Sequence, residues 1–416
     1  MYGLVGKKLT HSFSKEIHQL FGNELYNLFE IEDIQEIEKL KELKGFNVTI
    51  PYKTEIIALL DETDEIAQIT GSVNTVVNNN GHLKGYNTDY YGFIESLGYN
   101  QVTIKDKKIL ILGNGSVSKT VVYALEQLHA KTIVRLGRTR KSESDNLLEN
   151  YEQYLDFDIL INTTPLGMYP HNEDSPMIDL SKFKNLQFVI DLIYNPLRTK
   201  LLIEAEKSNI KTVNGLYMLI MQAKKAHELF FNCDIPLNIA NKIYKKIARK
   251  FYNIVFIGLP LSGKSKYASL FSQKLKKQIY DTDKEIEKII EMSIPEFFSI
   301  KSEKAFREIE TQVIENIYKL NNIIISTGGG VVKFDYNLDL LKQNGVIIFL
   351  DKDPEYISKK KIVGRPLIKN GEDVLKLAKE RLPLYNKFCD IKIAINRNTV
   401  YHINEIKEKI DEYFSR

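Results

Sequence analysis

The chain has 416 residues, too many for one ordinary core and enough for two or three domains. Hydrophobic residues make up 43% and charged residues 27%, which excludes a largely disordered or collagen-like chain. A net charge of +4 from 58 basic and 54 acidic residues is too thinly spread to argue for nucleic acid or a membrane surface, and small anionic ligands stay open. The two cysteines, Cys233 and Cys389, can build neither a disulfide framework nor a zinc site, so a reducing, cytoplasmic setting is expected. No apolar run approaches membrane-spanning length, and the start of the chain does not read as an export signal. Lysine outnumbers arginine 48 to 10, so an arginine points to a position where a planar, forked donor is wanted.

Strand-like sequence begins at Tyr2-Gly-Leu-Val. From Gly45 to Asp89 the chain is dense in small polar residues: Asn47-Val-Thr49-Ile-Pro-Tyr-Lys53, Gly71-Ser-Val-Asn74-Thr75 and Gly85-Tyr-Asn87-Thr88-Asp89. These suit a pocket for a polyhydroxylated ligand, although any one could cap a turn, and Lys53 taken locally reads as a surface lysine at a helix start. A polar stretch, Thr103 to Lys108, marks a first domain boundary. Beyond it, apolar runs of strand length alternate with helix-period segments, the pattern of parallel α/β units. Buried strands are expected at Ile109–Leu112, Ile159–Ile161, Phe188–Asp191, Ile254–Ile257, Ile323–Ile325 and Val346–Leu350.

The first of these runs into Gly113-Asn114-Gly115-Ser116-Val-Ser118, a reduced dinucleotide fingerprint for which a plain tight turn is an equal alternative. The next strand, Thr132 to Leu136, ends in Gly137-Arg138-Thr139-Arg140-Lys141. Three cations and no carboxylate favour a ribose 2′-phosphate, hence NADP(H); a solvated basic loop is the alternative. Ile235 to Lys250 reads as an amphipathic helix with Ile239, Ile243 and Ile247 on its apolar face, and the strand at Tyr252 follows with no Gly/Ser/Pro linker.

Gly258-Leu-Pro-Leu-Ser262-Gly263-Lys264-Ser265 lies between a buried strand and a helix, the setting a P-loop requires. Its backbone N–H groups would cradle the phosphates of ATP, with Lys264 on the β/γ oxygens and Ser265 on Mg²⁺. Asp281-Thr-Asp283 presents two carboxylates at period-two spacing, although a helix cap is at least as good a reading. Glu303-Lys-Ala-Phe-Arg307-Glu-Ile-Glu310 could be no more than a helix laced with ion pairs.

In order with Gly328-Gly329-Gly330, Gly364-Arg365-Pro-Leu-Ile368 and Arg381-Leu-Pro-Leu-Tyr385, these motifs make residues 251–416 resemble shikimate kinase. The resemblance implies Asp283 and Arg307 on the hydroxyls and carboxylate of shikimate, Gly328 to Gly330 lining the pocket and Arg381 clamping the carboxylate. The resemblance further implies that Asp281 joins Ser265 in the Mg²⁺ shell and that Arg365 rides on a lid over the phosphates. Ser302 stands where the family's Gly-Glu-x-x-Phe-Arg pattern begins with glycine, and no arginine among Lys359, Lys360 and Lys361 matches the family's adenine-stacking residue.

Residues 1–249 resemble shikimate dehydrogenase, through the polar segments above, His11-Ser12-Phe-Ser14, Asn162-Thr-Thr164-Pro-Leu-Gly-Met168, Asp191-Leu-Ile-Tyr194-Asn-Pro196 and Gly215-Leu-Tyr-Met218-Leu-Ile-Met-Gln222. This resemblance implies Ser12 and Ser14 on the substrate carboxylate, with Asn47, Thr49, Asn74 and Gln222 on hydroxyls and Tyr194 nearby. It further implies that Lys53 and Asp89 form the catalytic pair and that Gly113 to Ser116 and Arg138 to Arg140 hold NADP(H), with Gly137 where the family usually has asparagine.

The implied fold is α/β. A substrate domain over 1–105, completed by 222–249, adjoins a Rossmann NADP domain over 106–221, and a P-loop parallel-sheet kinase domain of the nucleoside-monophosphate-kinase type follows over 251–416. The implied function is bifunctional: NADPH-dependent reduction of 3-dehydroshikimate to shikimate, then ATP-dependent phosphorylation of shikimate, with these small molecules as substrates and neither nucleic acid nor membrane as partner. The alternatives are one active half, a quinate dehydrogenase or a kinase of another acceptor, beside a half that only binds.

Overall fold

In the computed structural model of the chain, strand Lys108–Leu112 buries both of its faces. Ile109 and Ile111 enter one apolar cluster, and Leu110 and Leu112 enter another. An alternating strand that is apolar at every position has to be covered on both sides, which is why the run is continuous rather than period-two. Strand Asn253–Ile257 repeats the arrangement, with Val255 and Ile257 on one side and Ile254 and Phe256 on the other. The structure describes residues 1–10, 12–40, 42–140, 142, 145–360 and 368–414. Its contacts divide the chain into two units, Met1–Ile247 and Ala248–Arg416.

The first unit carries two six-stranded sheets. One is mixed, in the order Tyr26–Glu30, Tyr2–Gly6, Gly45–Val48, Thr75–Asn79, His82–Tyr86, Glu62–Thr63. The other is parallel, in the order Lys211–Val213, Phe188–Asp191, Ile159–Asn162, Lys108–Leu112, Thr132–Gly137, Asp145–Leu147. Helices Thr88–Tyr99 and Leu216–Phe231 lie against each other at close range. Gly92 makes this possible, because a Cβ there would lie 2.6 Å from the Met218 carbonyl and 3.0 Å from the Cβ of Gln222. The result places Gln222, on the second helix, beside the start of the first.

The second unit is a five-stranded parallel sheet in the order Ile279–Asp281, Ile324–Ser326, Asn253–Ile257, Gly345–Asp351, Ile391–Ala394. The first strand in sequence is central, so the loop that follows it opens at the carboxyl edge, where open α/β sheets hold ligands. The expected strands all form, with ends differing by a residue or so as hydrogen-bonded boundaries ordinarily do. Helix Leu237–Phe251 buries Ile243 and Ile247, but Ile239, in its first turn, is 42% exposed.

Candidate active sites

Lys53 follows strand Gly45–Val48, and its backbone carbonyl accepts the Val73 N–H at 2.8 Å, which fixes the turn against the neighbouring segment. Its Nζ lies 2.6 Å from Oδ2 of Asp89, with the two side chains only 12% and 10% exposed. The surface-lysine reading therefore fails. Asp89 sits in the first turn of helix Thr88–Tyr99. Its other oxygen accepts from Asn74 Nδ2 at 2.9 Å, and Asn74 Oδ1 accepts the Thr88 N–H at 2.7 Å, so the carboxamide can face only one way. Gln222 Oε1 is 3.4 Å from the same Asn74 nitrogen.

Asn47 joins this network by donating to the backbone carbonyl of Asn74 at 3.2 Å and to Thr75 Oγ1 at 2.9 Å, and its own oxygen accepts from the Tyr26 hydroxyl at 2.7 Å. Tyr26 is stacked on His18 with ring centroids 4.0 Å apart. Burial, with a smaller contribution from His227, pushes His18 down to about 3, so the stack is neutral. Ser12 and Ser14 meet at the start of helix Ser14–Leu20, where the Ser14 N–H donates to Ser12 Oγ at 3.2 Å. Among the described residues the side chains of Ser12, Ser14 and Thr49 make no hydrogen bond to the Lys53 network; all three are half-buried. Tyr194 lies in the turn after strand Phe188–Asp191, its hydroxyl pKa raised by burial.

The glycine-rich turn takes a backbone shape that only glycine accommodates. Gly113 has φ +110°, and a Cβ there would sit 2.5 Å from Thr163 Oγ1. Gly115 precedes helix Ser116–Gln127, whose N-terminal N–H groups suit an anion. Arg138, Thr139 and Arg140 are exposed just past strand Thr132–Gly137. Lys141, His11, Lys361, Gly364 and Arg365 lie outside the described residues, and the lid expected around Arg365 lies there with them.

In the second unit Gly258 (φ +147°) and Gly263 (φ +103°) shape the loop before helix Lys264–Leu275. Lys264 Nζ donates to the carbonyls of Gly258 at 2.9 Å and Leu259 at 3.0 Å. Ser262 is buried, and its Oγ has no hydrogen-bond partner among the described residues. The Ser265 hydroxyl donates to Asp281 Oδ2 at 2.8 Å and lies 3.2 Å from Ser326 Oγ. Asp281 stands at the cap position of helix Thr282–Ile290 without capping it through its side chain, so the cap alternative fails for this carboxylate. A hydroxyl and a carboxylate at a phosphate loop fit Mg²⁺, which prefers few protein oxygens beside phosphate and water.

A cavity of about 190 Å³ lies over the loop, lined by Gly263, Lys264 and Ser265, and a larger one of about 300 Å³ lies beside it, lined by Asp283, Arg307, Gly328 to Gly330 and Arg381. Pro260, Ser265, Asp283 and Gly329 line both. Arg307 and Arg381 are each no more than 5% exposed. Arg307 donates to Glu310 at 2.8 Å and to Glu303 at 3.1 Å, so the ion-paired helix reading is also correct, but the guanidinium is turned inward to the cavity wall.

Glu310 was not singled out by sequence. It is fully buried beside Asp283, and burial raises its pKa against the pull of Arg307. Its i+3 spacing from Arg307 puts both on one helix face, but the same spacing marks countless surface pairs. Two other polar groups were overlooked in the same way. Tyr385 donates its hydroxyl to the Gly329 carbonyl from a fully buried position, holding the glycine run. Asp191 is buried at a strand end, accepts from Asn162 at 3.0 Å, Ile193 N–H at 3.1 Å and Thr199 at 2.6 Å, and is pushed up to about 7 by burial.

Two family models match the chain: a shikimate dehydrogenase substrate binding domain over residues 4–76 and shikimate kinase over residues 260–411. A shikimate dehydrogenase (NADP(+)) of Clostridium beijerinckii is 39% identical over 267 residues, covering 60% of this chain and 98% of the relative. Among solved structures, a chorismate mutase/shikimate 5-dehydrogenase fusion protein from Clostridium acetobutylicum matches at 35% identity and a TM-score of 0.56, covering 59% of this chain and 96% of that one. A shikimate 5-dehydrogenase from Thermus thermophilus, solved with NADP(H) and shikimate, matches at 26% identity and a TM-score of 0.53 over 59% and 98% of the two chains.

Proposed function

Because the chain belongs to the shikimate dehydrogenase family and continues into a shikimate kinase domain, we infer that it is a bifunctional enzyme of the shikimate pathway, making shikimate in one half and phosphorylating it in the other. Residues 1–105 with 222–249 bind 3-dehydroshikimate, 106–221 bind NADP(H), and 251–416 bind ATP and shikimate. No helix among the described residues is long and apolar enough to cross a membrane, which fits a cytoplasmic enzyme.

One observation carries the reading: each unit sets a sheltered lysine beside a polar site suited to a carboxylated polyol. In the first, Lys53 is held by Asp89 at 2.6 Å next to the Asn74 and Gln222 amides. NADPH supplies the hydride when bound. Lys53 Nζ donates a proton to the oxygen of the ring ketone as it becomes an alkoxide, while Asp89, oriented by Asn74, keeps the ammonium aimed. Asn47, Asn74 and Gln222 hold ring hydroxyls, with Thr49 and Tyr194 alongside, and Ser12 and Ser14 hold the carboxylate.

In the second unit the chain positions and neutralises charge, which is most of what phosphoryl transfer asks of a protein. Arg307 and Arg381 hold the acceptor's carboxylate with planar, forked donors, and Asp283 takes its attacking hydroxyl. Gly258, Ser262, Gly263 and Lys264 hold the phosphates of ATP. Ser265 and Asp281 would hold Mg²⁺, which would supply neutralisation of the phosphates' charge.

The full chain given 3-dehydroshikimate, NADPH, ATP and Mg²⁺ yields shikimate 3-phosphate, and without ATP the product is shikimate. A chain that lacks either conversion overturns the bifunctional reading.

A further inference from the structure

Strands Thr132–Gly137 and Asp145–Leu147 are parallel neighbours, with Arg135 opposite Asp145 and Gly137 opposite Leu147. Only residues 138–144 connect them. Parallel neighbours ordinarily need a crossover of about a dozen residues or more, usually a helix, because the chain must travel back the length of a strand. A connection this short needs an anchor, and it is the same stretch that carries Arg138 and Arg140.

The anchor is a buried carboxylate. Asp145 is 2% exposed, and its Oδ1 lies 2.8 Å from Nη2 of Arg135. Its Oδ2 accepts the Ser142 N–H at 3.1 Å and Asn114 Nδ2 at 3.1 Å. The Asn114 amide also reaches the Thr139 carbonyl at 2.7 Å, and Arg135 donates to Ser142 Oγ at 3.0 Å. One carboxylate thus ties together the glycine-rich turn, the preceding strand and both ends of the basic loop. Gly137 leaves the room for it, since a Cβ there would lie 2.4 Å from Asn114 Nδ2.

We propose that Asp145 is the positioning residue for coenzyme choice, holding from inside the unit the loop whose exposed side presents Arg138 and Arg140 to a ribose 2′-phosphate. The proposal rests on the NADP(H) reading above. Asp145 does not meet the coenzyme; it sets where the two cations stand. Its charge is spent on Arg135, the one loop-side arginine that is turned inward, so the outward face stays cationic.

The test is steady-state reduction by the full-length chain with NADPH and with NADH. Asp145→Asn keeps the shape and removes the charge, and a charge-assisted contact of this kind is worth about tenfold or more in affinity. The expected result is a KM for NADPH raised about tenfold, with kcat and the KM values for NADH and the ring ketone unchanged within about twofold. Turnover with saturating NADH reports that the unit is folded. Should that turnover be lost, Ser142→Ala, which removes the hydroxyl that Arg135 holds at the far end of the loop without uncovering a buried charge, carries the same expectation. A loss shared equally by NADPH and NADH in the Ser142 variant, or an NADPH preference that survives in a folded Asp145→Asn chain, overturns the proposal alone. A wild-type chain that shows no preference for NADPH overturns the coenzyme reading and this proposal with it.

Discussion

Gly330 and Arg307 occupy adjoining space so tightly that a Cβ on the glycine would lie 2.0 Å from Nη2 of the guanidinium. A long side chain often swings away from such a contact at little cost. Arg307 has nowhere to go, being 5% exposed and held by Glu310 on one nitrogen and Glu303 on the other. Gly330→Ala therefore displaces the group assigned to the acceptor's carboxylate. The expected outcome in the kinase assay is a KM for shikimate raised about tenfold or more, the worth of a charged hydrogen bond, with the KM for ATP little changed. Equal losses for both substrates would point to a general disturbance of the loop.

Lys53→Met should lower reduction by about 10²–10⁴-fold, the usual contribution of a placed acid, while phosphorylation by the same chain stays within about twofold. Lys264→Met should do the reverse. Paired assays on each purified variant decide this, and a substitution that stops both reactions in a folded chain would show that the two sites are not independent.

Asn74→Asp exchanges a donor for a second carboxylate facing Oδ1 of Asp89, where the amide now stands at 2.9 Å. Two like charges this close cannot both be ionised easily, so one carboxyl pKa rises. Lys53 then keeps its partner only at higher pH. The acid limb of kcat/KM for reduction should move to higher pH than in the wild type, and an unmoved limb would remove Asp89 from the mechanism.

The first unit holds two buried groups whose stability contributions run in opposite directions with pH. His18, lowered to about 3 against 6.5 in the unfolded chain, binds its proton only on unfolding, so stability falls as pH drops from about 6.5 toward 3. Asp191, raised from 3.8 to about 7, is protonated in the fold where the unfolded chain is not, so its contribution is present at low pH and is lost as pH rises from about 4 to about 7. Thermal unfolding followed against pH should show His18→Phe with a weaker acid-side loss, and Asp191→Asn with a weaker loss on the rising side. Slopes identical to wild type would refute the corresponding assignment.

What was legible in the sequence was whatever backbone geometry or strand burial imposes. Gly113, Gly258 and Gly263 adopt φ values that only glycine takes up easily, and the uninterrupted apolar runs at Ile109 and Ile254 follow from sheets covered on both faces. Asp281 was ambiguous, because a cap and a hydroxyl partner need the same residue in the same place, and only the 2.8 Å contact with Ser265 separates them. Glu310, Asp145 and Asp191 were illegible for a common reason. An acidic residue a few places from a cation or at a strand end is most often solvated, and nothing local says that distant segments will close over it. Each is made significant by partners brought in by tertiary packing, Asp145 by Asn114 from 31 positions earlier and Asp191 by Asn162 from 29 positions earlier.

The two cavities of the second unit share Pro260, Ser265, Asp283 and Gly329 as a common wall. A single synthetic molecule bearing a carboxylated ring at one end and a phosphate chain at the other would therefore meet the same four residues from both of its ends. Such a compound would compete with donor and acceptor at once, and the spacer joining its two ends would measure the distance the phosphoryl group has to travel.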